Sequence, residues 1–214
     1  NPSTAKCVSC AEAFGGDIDV VLLGAGLDSV SAEAATSAGV TTVITIEAPH
    51  LSAPLAINHA DEVVALAADY THVIGPSTTY GKDLMPRVAA LLGVNQVSDI
   101  MAVDGPYRMK RPVYAGNAIV DVAAPEDVVL VGTARVASWA SAGDGGTAEI
   151  RQVAASGQAS PDSHWLGLAA GGGERPDLQT ASVVVSGGRA LGSKENFELI
   201  YEFADQLGAG VGAS

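Results

Sequence analysis

Along the first hundred residues, runs of consecutive apolar positions alternate with stretches in which apolar residues recur every three to four places. Residues 19–24 (Asp-Val-Val-Leu-Leu-Gly) form a continuous apolar run, the pattern of a strand covered on both faces. Residues 42–46 (Thr-Val-Ile-Thr-Ile) and 72–75 (His-Val-Ile-Gly) repeat it. Between these runs the pattern is helical. One helix is expected over residues 3–14 with Ser3 as its N-cap, and a second, Ala-rich one over 29–38, ended by Gly39. A third covers 53–70 and carries Leu55, Val63, Leu66 and Ala67, and a fourth covers 84–92 with Pro86 in its first turn. Strand–helix alternation of this kind predicts a parallel sheet with right-handed crossovers. The pattern then changes. Residues 100–103, 113–116, 118–122 and 128–134 are short extended runs with no helix between them, which predicts antiparallel strands added at one edge. Residues 138–146 read as a loop.

Residues 156–177, rich in Gly, Ser, Pro and Asp and containing Gly171-Gly172-Gly173, read as a linker. Beyond it, residues 181–186 predict a strand and Gly187-Gly188-Arg189 a tight turn. Ser193 caps a helix over 194–207 with Glu195 in its first turn, Gly208 ends it, and Val211 opens another strand. The expected fold class is α/β. Residues 1–172 form a three-layer, mostly parallel, nucleotide-binding-like (Rossmann-like) domain, with residues 20–23 and 73–74 in one sheet. Residues 173–214 form the first βα unit of a second α/β domain. Such a short unit is too small to be a stable domain alone, so the chain is expected to be a fragment or to need something else to complete it.

Composition narrows the function. No apolar run reaches the ~20 residues that span a bilayer, and the N-terminus lacks the basic and apolar segments of a signal peptide. A soluble protein without membrane insertion is expected. The formal net charge of −13 opposes binding to nucleic acid or to an anionic membrane; an acidic surface of this kind suits the bacterial cytoplasm and can steer protein partners. Cys7 and Cys10, the two cysteines, lie inside a helix with no second Cys pair and no nearby His. They are expected to be reduced, metal-free and packed on one helix face in a reducing compartment.

Candidate chemistry is sparse. Gly24-Ala25-Gly26 suggests a dinucleotide turn and Glu47 its ribose-binding acid, but Ser29 stands where the third glycine belongs, so a tight strand–helix turn explains these glycines better. His50, His59, His72 and His164 have no His or Cys neighbour at metal-ligand spacing. Residues 77–82 (Ser-Thr-Thr-Tyr-Gly-Lys) precede a helix and could meet an anion, or only cap that helix. No catalytic triad is visible from local spacing. Gly187-Gly188-Arg189 is the best ligand candidate: it sits at the carboxyl end of a strand ahead of a helix, where α/β folds bind anionic groups, and Arg189 offers fixed N–H donors.

Three stretches together resemble the alpha subunit of electron transfer flavoproteins: residues 71–87, residues 111–118 (Arg-Pro-Val-Tyr-Ala-Gly-Asn-Ala), and residues 183–214 with Ser186-Gly187-Gly188-Arg189, Glu195-Asn196-Phe197 and Gly212-Ala213-Ser214. The resemblance covers nearly the whole chain. It implies a heterodimer with a beta subunit and one FAD held mainly by the carboxyl-terminal alpha domain. Electrons would come from acyl-CoA dehydrogenases and related enzymes and pass to a membrane electron transfer flavoprotein–quinone oxidoreductase. It implies a carrier rather than an enzyme, located in the bacterial cytoplasm, or in the mitochondrial matrix if eukaryotic. By position, Arg189 and Ser214 match family FAD contacts. The resemblance also implies an arginine after Ser214, the rest of the flavin domain and a strand ahead of residue 3, none of which this sequence contains, so FAD is not expected to stay on these 214 residues alone. Ala190 stands where the family usually has glycine. Two other readings stay open: a nucleotide-binding enzyme using residues 77–82, and a structural module that binds only the beta subunit.

Overall fold

In the computed structural model, which describes residues 2–167, 175–176, 178 and 181–214, the three apolar runs of the amino-terminal half are all parallel strands. They are β1 (Asp19–Gly24), β2 (Thr42–Glu47) and β3 (His72–Pro76). Helices α1 (Pro2–Phe14), α2 (Asp28–Ala35), α3 (Ala56–Ala67) and α4 (Thr79–Leu92) alternate with them. β1 pairs with β2, and β2 with β9 (Glu149–Val153). β3 pairs with β8 (Leu130–Ala134), and β8 with β4 (Gln96–Ile100). All four pairings are parallel, and the class is α/β with mostly parallel sheets.

Alternation along the strands sorts the core into layers. On one side, Val131 of β8 and Val73 of β3 pack with Ala60 of α3 and with Leu84, Met85 and Val88 of α4. On the other, Leu130, Ala134 and Ile74 pack with Cys10 and Phe14 of α1. The same division holds for the other ladder: Val20 and Val43 meet Val8 of α1, whereas Ile44, Ile46 and Leu23 meet Leu66 of α3. Helix α1 thus covers both ladders. Cys7 and Cys10 pack in the same cluster, and burial pushes both thiols up to about 12, Cys10 with a smaller contribution from Cys7.

Several expectations are corrected. β1 and β3 lie in different hydrogen-bonded sheets, with orders β1-β2-β9 and β3-β8-β4, not in one. Among the described residues no hydrogen-bonded ladder links these two sheets. Residues 128–134 are not an antiparallel edge: β8 is the buried centre of its parallel sheet. The antiparallel addition is a separate sheet of β5 (Ala102–Gly105), β6 (Arg108–Val113) and β7 (Ala118–Ala123). Residues 114–116 are a turn rather than strand, with Tyr114, Ala115 and Gly116 all at positive φ. Helix α2 stops at Ala35 because Ser37 bridges to Asp144. Helix α4 starts five residues early, at Thr79, since Thr78 caps it by accepting the Gly81 N–H at 3.3 Å; Pro86 is therefore inside the helix, not in its first turn.

A buried polar group lies along α3. His59 is 4% exposed; its Nε2 lies 3.1 Å from the Leu51 carbonyl and its Nδ1 2.6 Å from the Tyr80 hydroxyl. A carbonyl only accepts, so Nε2 carries the proton and Tyr80 donates to Nδ1. Burial lowers the His59 pKa below its ordinary value. For Glu62, burial raises the pKa, but hydrogen bonds from Ser156 and Gly157 and the nearby His50 outweigh it and hold the carboxyl below the usual range. Both folded values are depressed. Each group's contribution is therefore complete above its unfolded value, about 6.5 for His and 4.3 for Glu, and is lost as pH falls from there through the folded value. Thermal unfolding followed from pH 8 downward should show stability declining in two phases, below about 6.5 and below about 4.3. The upper phase should be missing in His59→Gln.

The second compact unit, Leu166–Ser214, is built on β10 (Val184–Gly187) and β11 (Gly210–Ala213), paired in parallel and joined through α5 (Glu198–Leu207). Ser193 accepts the Asn196 N–H at 3.3 Å, so it caps the start of this helical stretch as expected, and Gly208 ends it in the left-handed conformation. Arg175 forks onto Asp205 at 2.5 and 2.7 Å and lies 4.6 Å from the centre of the Tyr201 ring. Gly171-Gly172-Gly173 lies outside the described residues.

Candidate functional site

The turn after β10 is shaped by its two glycines. A Cβ on Gly187 would stand 2.5 Å from Leu191 Cδ1 and 2.9 Å from Phe197 Cε2; one on Gly188 would stand 2.5 Å from Ser214 Oγ. Side chains from the helical stretch and from the end of β11 thus pack directly on the turn's backbone. The Ser214 N–H donates to the Gly187 carbonyl at 3.2 Å, which fixes Ser214 against the turn. Arg189 opens a single turn of 3-10 helix, Arg189–Leu191. Ala190 is not among the residues with positive φ, so alanine fits there without strain.

The result is a cleft of about 330 Å³ at the carboxyl ends of two parallel strands, lined by Gly187, Gly188, Arg189, Ser193, Phe197 and Ser214 among others. The two residues singled out in the sequence, Arg189 and Ser214, lie 25 positions apart and come together here. Ser193 and Phe197 join them; their signal was the capping serine and the aromatic residue one turn later. Helix dipole and local amides are met by acids of the chain itself: Glu195 and Glu198 sit at the two helical starts, and hydrogen bonds from its own backbone N–H and from Ser193 hold the Glu195 carboxyl below its usual range. The positive donor left for a ligand is the exposed Arg189 guanidinium. A hydroxyl and a guanidinium at this turn suit an extended ligand with anionic and carbonyl oxygens. A flavin dinucleotide has that chemistry.

Several other candidates are occupied internally. Glu47 accepts the N–H groups of Gly26 and Leu27 at 3.3 and 3.0 Å, so it fills the turn beside which the dinucleotide pattern would place a ribose acid. Thr78 caps α4, and the Ser77 hydroxyl donates to Asp99, which has a φ of 59° at an irregularity in β4. His72 bonds the Pro106 carbonyl at 2.6 Å and stacks near Phe14 and Tyr107. Among the described residues no cluster of His, Cys, Asp and Glu could hold a metal, and no helix is long and apolar enough to cross a membrane.

Comparison with known proteins gives two family matches. The Electron transfer flavoprotein domain matches residues 1–157, and the Electron transfer flavoprotein FAD-binding domain matches residues 177–214. The electron transfer flavoprotein subunit alpha of Paracoccus denitrificans is 46% identical over 213 residues, covering 99% of this chain and 68% of that protein. The subunit alpha of Pseudomonas aeruginosa is 40% identical over 212 residues, again 99% and 68%. A probable mitochondrial subunit alpha of Caenorhabditis elegans is 36% identical over 215 residues, covering 100% of this chain and 64% of that protein. With its amino-terminal unit matched along most of its length and the Gly187–Arg189 turn inside the second match, the chain belongs to the electron transfer flavoprotein alpha-subunit family.

Proposed function

We propose that the complete protein is the alpha subunit of a heterodimeric electron carrier. FAD would be bound at the Gly187–Arg189 turn, with electrons received from acyl-CoA dehydrogenases and delivered to a membrane quinone oxidoreductase. The observation that carries this reading is the cleft in which Arg189 and Ser214 converge on a side-chain-free glycine turn. When bound, the flavin ring supplies the redox chemistry by accepting and releasing electrons. The chain's residues bind and orient it. Arg189 would donate charge-assisted hydrogen bonds to cofactor oxygens and Ser214 would offer its hydroxyl, while the glycines let Leu191, Phe197 and Ser214 close directly on the turn. The amino-terminal unit acts as scaffold and as docking surface for the beta subunit. In support, its two nucleotide-like turns are filled by Glu47 and by the Ser77–Asp99 pair.

Tight binding of a ligand as large as FAD needs most of its surface buried. A cleft of about 330 Å³ on a two-stranded sheet does not provide that, so the 214-residue chain should be colourless after gel filtration. The complete reading frame, copurified with its beta subunit, should be yellow and should be bleached by an acyl-CoA dehydrogenase and its substrate. Absence of flavin from that complex would overturn the proposal, and stoichiometric flavin on the 214-residue chain would show the site to be misplaced.

A further inference from the structure

Glu62 points from α3 into the interior, 1% exposed, and its carboxylate is turned toward the chain that leaves β9. The Ser156 N–H donates to both oxygens, at 3.1 and 2.9 Å, and the Ser156 hydroxyl to Oε2 at 2.8 Å. The Gly157 N–H donates to Oε1 at 2.8 Å. One turn earlier on the helix, Asn58, 4% exposed, accepts the Ser160 N–H at 2.9 Å and donates its amide to the His50 carbonyl at 2.9 Å. His50 Nε2, buried and without a hydrogen-bond partner among the described residues, lies 3.7 Å from Glu62 Oε1. A carboxylate buried this deeply is costly unless its acceptor sites are filled. Here the loop backbone fills them. Gly157 is fitted to the contact, because a Cβ there would come within 3.1 Å of Glu62 Oε1.

These bonds fall where one domain hands over to the next. The first family match ends at residue 157 and the second begins at 177. We propose that Glu62 and Asn58 form a latch that straps residues 154–160 onto α3, so that the tether to the flavin-binding domain starts at Pro161 instead of directly after Val153. The two side chains would then set how long that tether is. At ~3.5 Å per extended residue, freeing the strap would add up to roughly 25 Å of reach. The idea rests on reading the second unit as the flavin-carrying domain.

The test uses the complete FAD-loaded heterodimer. Glu62→Gln puts an amide donor where N–H groups now donate. Ser160→Pro and Gly157→Pro remove donors from the strap and leave α3 untouched, which covers the case in which Glu62→Gln fails to fold. Amide exchange at Ser156 and Gly157 should be slow in the parent and about 100-fold faster in Glu62→Gln, as expected for local opening. Spin labels at cysteines introduced for Glu126 and Glu202 should report a broader distance distribution in each variant than in the parent. Unchanged exchange in Glu62→Gln, or faster exchange without broadening, would overturn the latch. Flavin content of the parent complex is read separately, so a failure of the flavin assignment is distinguishable from a failure of the latch.

Discussion

Replacing Arg189 by alanine in the complete heterodimer is expected to weaken FAD binding about 10- to 100-fold. A hydrogen bond to a charged group contributes ~1.5–3 kcal/mol, and about 1.4 kcal/mol is a factor of ten. Arg189 is exposed at the rim of the cleft, and its loss leaves no buried group unpaired, so thermal stability should hardly change. Arg189→Lys keeps the charge but not the planar fork and should recover only part of the affinity. The measurement is titration of the apoprotein with FAD, followed by flavin fluorescence. Equal affinities for the parent and Arg189→Ala would remove Arg189 from the site.

The largest stability effect is expected from Gly81→Ala. By helix propensity alone this change, in the first turn of α4, should stabilise by ~1 kcal/mol. The packing opposes it. A Cβ on Gly81 would overlap the Pro76 carbonyl oxygen, which is backbone and cannot swing aside as a flexible side chain would. The strand below is also closely packed, since a Cβ on Gly75 would stand 2.8 Å from Met85 Sδ. Helix α4 would have to lift from β3 and disturb the cluster of Leu84, Met85 and Val88. Overpacking of this kind costs ~1–3 kcal/mol and occasionally more. With backbone as the obstacle we expect about 3 kcal/mol, a fall of roughly 6–12 °C in Tm for a unit of this size. A raised Tm would mean that the β3–α4 turn is looser than the geometry shows.

The parts of the fold legible in the sequence are those in which one local pattern decides the structure. β1, β2 and β3 are continuous apolar runs and were readable as buried parallel strands. β8 carries the same signal in Leu-Val-Gly-Thr-Ala, but the lack of a helix directly before it pointed to an antiparallel edge; the chain reaches the sheet centre by way of the β5-β6-β7 excursion, which local pattern does not encode. β9, Glu-Ile-Arg-Gln-Val, was missed because a mostly exposed edge strand needs few apolar residues. Asn58, His59 and Glu62 look like a solvated helix face; only the long-range return of residues 156–160 shows why Asn58 and Glu62 are buried, and only the packing of Leu51 and Tyr80 shows why His59 is. At the candidate site the order was reversed. A glycine pair after an apolar run, an arginine and a capping serine marked the turn directly, whereas the placement of Ser214 opposite Gly188 required the parallel pairing of β10 with β11.

The carboxylate of Glu47 on the amides of Gly26 and Leu27 bears on competition between ligands. A group tethered in place acts at a high effective concentration, which for well-oriented intramolecular partners far exceeds that of any dissolved ion. A free phosphate or nucleotide would have to displace this internal anion and also face its negative charge. Cellular nucleotide pools should therefore leave the turn untouched at any physiological level. The two amides of this strand–helix corner stay with the chain's own side chain by mass action.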